Sequence, residues 1–317
     1  MVNLLTIVTL SRGKCGLSTC TTRYLLTMTL ADLLVLITEV ILYRICYYYF
    51  PGSFLDITPV CIVLAVLIHA TTDWSVWFTI TFTFDRFVAI CCQKLKRKYC
   101  TEQTSTVVLA VTCILFFFKN IPFYFIFEPV QIIDNAPWGC DAKLIYYTEP
   151  WWVAFDWFVT VSAPLLPFAL ILFLNALTVR HIFVASRARK RLRGQNKGEN
   201  RSDPEMESRR RSVILLFTLS GSFILLWLMY VMEFLYYHIT GTDPGDYNVS
   251  EYIFIKVAYI LLILSCCSNT FIYVVTQSKF REQFKSAVKY SLTSIIQLLK
   301  NIKLREAKRQ DSSVSCT

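Results

Sequence analysis

Asp85 and Arg86 stand side by side in TFTFDRFVAICC (81–92), a stretch otherwise made of apolar, hydroxyl-bearing and thiol-bearing residues. An unpaired charge at the centre of a membrane helix costs about 2.5–3.5 kcal/mol on insertion scales. The position of the pair along its helix therefore decides what it can do. Counting back from Arg86 to Cys61 covers about 37 Å at the helical rise, a full bilayer crossing. Lys94, Lys96, Arg97 and Lys98 follow directly. The pair is thus expected at the mouth of a helix bundle, where Asp85 partners Arg86 until another group competes for it. Asp32, in LADLL (30–34), falls deeper in an apolar run and needs a cation or hydrogen-bond donors. Enzyme and metal chemistry fail on inventory. His69, His181 and His238 fall on separate segments without ligand spacing, and no Gly-rich phosphate loop or nucleophile elbow is present.

The elements that position these groups follow from composition. Hydrophobic residues make up 55% of the 317 residues and charged ones 17%, too little polar surface for a soluble domain of this length. Apolar runs predict six full helical spans at 23–49, 58–92, 105–127, 151–185, 209–239 and 251–276. Residues 1–10 are apolar but reach only about half a span of roughly 20 residues. They are expected to be a first helix truncated at its N-terminus, and no basic segment or cleavage site marks a signal peptide. All but four of the 32 Lys and Arg residues (Arg44, Lys119, Lys143 and Lys256 are the exceptions) lie in 11–23, 86–98, 180–211 and 279–309. The positive-inside rule makes those segments cytoplasmic. The net charge of +10 is therefore mostly an address, and no basic face with interleaved aromatics suggests nucleic acid as a partner. Asn248-Val249-Ser250 is a glycosylation sequon in a loop placed outside, whereas Asn200-Arg201-Ser202 lies in the basic cytoplasmic loop. After the last span, Phe280, Phe284, Val288 and Leu292 recur among Lys279, Arg281, Lys285 and Lys289. That pattern suits an amphipathic helix lying on an anionic leaflet of membrane lipid.

Asp85-Arg86-Phe87 resembles the Asp/Glu-Arg-Tyr signature in the third helix of rhodopsin-like (class A) G-protein-coupled receptors. Other matches fall in the same order. Asn3 resembles the first-helix asparagine and Asp32 the second-helix aspartate. Pro167 lies in the fifth helix, Trp227 resembles the toggle tryptophan of the sixth, and Asn269 to Tyr273 resembles the Asn-Pro-x-x-Tyr of the seventh. KFREQF resembles the eighth, surface helix. The resemblance implies an all-α, seven-transmembrane helix bundle over 1–290, followed by a cytoplasmic tail at 291–317. It also implies a multi-pass protein of the plasma membrane that binds an extracellular small-molecule or peptide ligand and acts on a heterotrimeric G protein and arrestin. Within the family the sequence looks similar to the orphan-receptor group containing probable G-protein-coupled receptor 139. That group implies an aromatic amino-acid or peptide-like agonist and coupling of the Gq class. The rival reading is a receptor-like membrane protein that does not signal.

The resemblance also assigns sites. Asp85, Arg86, Phe87, Asn269 and Tyr273 would form the G-protein coupling switch. Asp32, Ser75, Asn269 and Asn3 would form an allosteric sodium site, oxygen ligands suiting a hard cation; the alternative is a protonated Asp32 in a hydrogen-bond network. Cys61 and Cys140 would form the extracellular disulfide, with Cys46 as a rival partner. Glu39, Asp73, Asp156 and Glu233 lie in the outer halves of spans. They serve either interhelical hydrogen bonds or a ligand pocket that welcomes a positively charged group. His69, Thr72, Trp227, Tyr230, Phe234 and Tyr259 would wall that pocket. The sequence departs from the family pattern at Met229, Thr270, Asn175 and Tyr230. Thr270, where proline is usual, is expected to bend its helix by bonding back to the carbonyl four residues earlier.

Overall fold

In hydrocarbon a backbone must satisfy its own N–H and C=O groups, so apolar runs of this length fold as helices. A computed structural model describes the backbone of residues 2–13, 15–193, 204–240, 247–293, 297 and 300. Their side chains are described except at 160, 188–193, 204–209, 234, 237 and 238. The Asn200 sequon, the side chains of Phe234, His238 and Arg209, and nearly all of the tail expected at 291–317 lie outside the described residues. The principal helices are α1 (Val2–Ser11), α2 (Thr19–Tyr49), α3 (Thr58–Cys91), α4 (Glu102–Ile126), α5 (Pro150–Arg187 and beyond), α6 (Pro204–Thr240), α7 (Val249–Thr276) and α8 (278–293), with short helices at Gln93–Tyr99 and Leu144–Thr148 in the connections. Six of them, α2 to α7, are long and apolar enough to cross a membrane, and α1 is a shorter apolar helix. The architecture is an all-α, seven-helix bundle with a surface helix.

Local chemistry fixes the helix starts. Ser18 and Thr101 accept from the backbone N–H of Thr21 and Thr104, and Asn248 forms a capping box with Glu251. The Asn248 cap uses Oδ1, leaving the amide nitrogen of the expected glycosylation site out of the bond. Two irregular stretches were not foreseen. Leu36–Ile45 of α2 and Val161–Leu165 of α5 wind as π-helix, the second around Pro164. Between α4 and α5, strands β2 (Gln131–Ile133) and β3 (Ala136–Trp138) pair antiparallel. Asp134 and Asn135 turn the hairpin with φ of 48° and 61°, the positive values a two-residue I′ turn requires. It is framed by β1 (Phe127–Glu128) and β4 (Asp141–Ala142), also antiparallel.

The core is layered along the bundle. A cytoplasmic-side cluster joins Leu10, Tyr24, Phe82, Leu215, Leu219, Tyr273 and Phe280. A central cluster joins Val76, Ile80, Ile171, Phe223, Trp227 and Leu262. The α8 stripe differs from expectation. Phe280 is buried edge-on against Tyr273 at 5.8 Å, but Ala287 closes the inner face while Leu292 is 55% exposed. A four-residue spacing drifts by about 40° per step on a helix of 3.6 residues per turn, so three steps carry Leu292 off that face.

Candidate functional site

At the cytoplasmic end of α3, Arg86 Nε donates to Asp85 Oδ2 at 3.0 Å, and a second guanidinium nitrogen reaches the same oxygen. Both side chains are buried among Phe82 and Tyr24, and the guanidinium carbon lies 5.8 Å from the Phe82 ring. The third guanidinium nitrogen donates to Ser212 Oγ of α6 at 3.3 Å. Asp85 Oδ1 accepts from the Cys20 thiol of α2 at 3.3 Å. Phe87, the next residue along α3, is half-buried, its ring 6.4 Å from Phe84. Tyr273 is fully buried between α7 and α8. Arg86 is thus held from two sides, by its neighbour on α3 and by a neutral hydroxyl on α6.

About three turns of α3 deeper, at the level of Ser75, Asp32 is 2% exposed. Ser75 donates to its Oδ1 at 2.5 Å and Asn269 Nδ2 to its Oδ2 at 2.7 Å. A cavity of about 10 Å³, room for one water or one small ion, lies among Asp32, Ser75, Ser222, Trp227, Ser265 and Asn269. Trp227 Nε1 donates to Ser265 Oγ at 3.1 Å, tying α6 to α7 above it. Asn3 does not join this shell. Its Nδ2 donates to the Cys266 carbonyl at 3.0 Å, a backbone acceptor on α7 within easier reach from α1. Thr270 likewise turns to α1, pairing with Thr6 Oγ1 at 2.8 Å and donating to Asn3 Oδ1 at 3.4 Å. The back-bond expected of Thr270 is replaced by an interhelical contact.

The outer half separates the expected pocket residues into two groups. On one side, Trp227, Tyr230 and Tyr259 form an edge-on aromatic line with centroid separations of 5.7 and 5.8 Å. Arg44 lies 4.8 Å over the Tyr259 ring and pairs with Glu39 at 2.6 Å. Glu233 acts electrostatically on both tyrosines. On the other side, His69 stacks on Phe123 of α4 at 4.0 Å. Asp73 pairs with Lys119 of α4 at 2.8 Å and accepts from Asn120 at 2.6 Å. Lys119 also donates to Ser162 Oγ at 3.0 Å, and Trp77 Nε1 to the Ser162 carbonyl at 3.1 Å. Thr72 is half-buried one residue before Asp73. Asp156 accepts from Tyr146 at 2.5 Å. Glu39 and Asp73 are therefore neutralised by cations of the chain itself. Of the two readings open for these carboxylates, bonding within the protein or a pocket for a positively charged group, the pairs with Arg44 and Lys119 accord with the first.

Cys61 and Cys140 form the disulfide, Cα atoms 6.0 Å apart, and Cys46 is free. Gly139 N donates to the Asp56 carbonyl at 2.7 Å and Thr58 to the Gly139 carbonyl at 2.7 Å, pinning the hairpin over the start of α3. Among the described residues no group of three or more His, Cys, Asp or Glu could hold a metal ion. Cys20, Ser212 and the Lys119–Asn120–Ser162 set escaped the sequence reading. Lys119 did leave a signal, as one of the four basic residues outside the basic segments. Asn175, one of the departures from the family pattern, keeps a buried Oδ1 with no hydrogen-bond partner. A family model described as 7 transmembrane receptor (rhodopsin family) matches residues 2–273.

Proposed function

The chain belongs to the rhodopsin family of seven-transmembrane receptors, and from that premise we propose that it senses an extracellular small molecule or peptide and promotes nucleotide exchange on a heterotrimeric G protein at the plasma membrane. The observation that carries this reading is the placement of Arg86. It sits buried at the cytoplasmic mouth with two bonds to Asp85 of its own helix and one to Ser212 of α6. An outward movement of α6 breaks the bond to Ser212 and exposes a cation to a partner. The ligand side is the aromatic line from Trp227 through Tyr230 to Tyr259, capped by the Arg44–Glu39 pair. Aromatic faces with an adjacent cation and carboxylate suit an aromatic amino acid or a peptide terminus. That chemistry accords with the likeness to the group of probable G-protein-coupled receptor 139, a likeness that also implies Gq-class coupling. Asp32, Ser75, Asn269 and the neighbouring serine hydroxyls are hard oxygen donors around one small cavity, so they fit a sodium ion. Such an ion would supply a positive charge to Asp32 in the resting state.

The test is nucleotide exchange on representatives of each Gα class in membranes from expressing cells, screened with amino acids and short peptides. Agonist-stimulated exchange that Arg86→Ala abolishes at unchanged surface amount is expected. No exchange with any class, basal or stimulated, would establish the rival, non-signalling reading.

A further inference from the structure

Asp85 has two carboxylate oxygens, and Arg86 uses only one. Both guanidinium contacts fall on Oδ2, while Oδ1 faces α2 and accepts from the Cys20 thiol at 3.3 Å. Cys20 is 3% exposed, so water cannot readily take its place. The rest of that wall is neutral: Tyr24 of α2, Tyr99 and Cys100 at the end of the short helix after α3, and Ser105 of α4. Cys100 donates to the Asp85 carbonyl at 3.7 Å. Burial, and after it the Asp85 charge, pushes the Cys100 thiol up to about 12, so it keeps its proton at neutral pH.

We propose that Cys20 is a positioning residue for the Asp85–Arg86 switch, its thiol holding the Asp85 carboxylate in the orientation that keeps Arg86 folded back. The resting contact is then a chain across three helices, Cys20–Asp85–Arg86–Ser212, running from α2 through α3 to α6. Without the Cys20 thiol, Oδ1 loses its donor from α2, and the carboxylate rotates toward the donor that remains beside it, the Cys100 thiol. The rotation withdraws Oδ2 from the guanidinium. A resting state destabilised in this way loses population to the active one. The inference rests on the reading of Arg86 as the group released to the G protein.

The experiment measures basal nucleotide exchange on a responsive G protein in membranes, at equal surface amounts of Cys20→Ala, Cys20→Ser, Asp85→Asn and Cys20→Ala/Asp85→Asn. Cys20→Ala is expected to raise basal exchange about three- to tenfold. Cys20→Ser, a stronger donor of nearly the same shape, should return it to the wild-type level or below. The double variant should match Asp85→Asn alone, because the thiol acts only through that carboxylate. A merely structural role for Cys20 predicts no serine rescue and independent effects in the double variant. If Asp85→Asn raises exchange while Cys20→Ala matches wild type, the inference is overturned and the reading of Arg86 stands. If neither changes exchange, both fall.

Discussion

Lys119 and Asp73 show what a single buried charge demands. Their side chains are 7% and 4% exposed, and Asn120 and Ser162 complete the shell around them. Removing one partner of a buried pair leaves the other uncompensated, at about 3–5 kcal/mol. Lys119→Met should therefore lower the unfolding temperature of the detergent-solubilised receptor sharply, while Lys119→Met/Asp73→Leu recovers most of the loss. A single variant as stable as wild type would show that water reaches the pair. Asp32 carries a different expectation because its partners are neutral donors, Ser75 and Asn269. If sodium shares that cavity in the resting state, sodium chloride lowers agonist affinity relative to choline chloride at the same ionic strength. Asp32→Asn should abolish that difference. An unchanged sodium effect in the variant would place the ion elsewhere or remove it from the mechanism.

The helical elements were largely legible as apolar runs, and the loops between them as charge. The expected spans 58–92 and 251–276 compare with Thr58–Cys91 and Val249–Thr276, because the hydrocarbon thickness sets both length and composition. The π-turns were not legible in that way. In an α-helix, residues five apart point in different directions, so Glu39 and Arg44 do not read as a pair. Once Leu36–Ile45 winds as π-helix, five residues make nearly one turn and the two meet at 2.6 Å. The same limit hid Asn3 and Thr270, whose partners depend on how α1 and α7 cross. The disulfide shows the opposite case, since family likeness indicated Cys61 and Cys140 and the hairpin geometry carries them together. The bridge closes a separation of 79 residues, a loop for which chain-entropy reasoning gives several kcal/mol, about 4. Cys61→Ala and Cys140→Ala are each expected to abolish surface delivery, read by antibody binding to intact cells. Cys113→Ala, half-buried and outside any bridge, should be delivered normally.

Across the whole molecule, charge is sorted by side, and the cytoplasmic mouth collects most of it. Arg86 faces α6 there, and its partner on that helix is the neutral Ser212. Arg209, Arg210 and Arg211 precede Ser212 directly in the sequence. The resemblance to rhodopsin-like receptors implies, at the position of Arg209, the acidic residue that in many of them holds the third-helix arginine shut. Here the sequence carries arginine at that position, so no such lock is expected, and a like charge there would oppose Arg86 only weakly at a solvated mouth. The resting state thus depends on Asp85 and on one hydroxyl, and loses about 1–1.4 kcal/mol against a charged lock, enough to raise a small active fraction roughly tenfold. Measurable agonist-independent exchange is the expected consequence. Arg209→Glu supplies the missing carboxylate and should reduce basal exchange severalfold, without changing the maximum reached with saturating agonist. Raising salt should shrink that effect, since the new pair is exposed to screening. Basal exchange equal in the two forms at low salt, with equal surface amounts, would show that packing between α3 and α6 sets the resting population and that charge at this mouth does not.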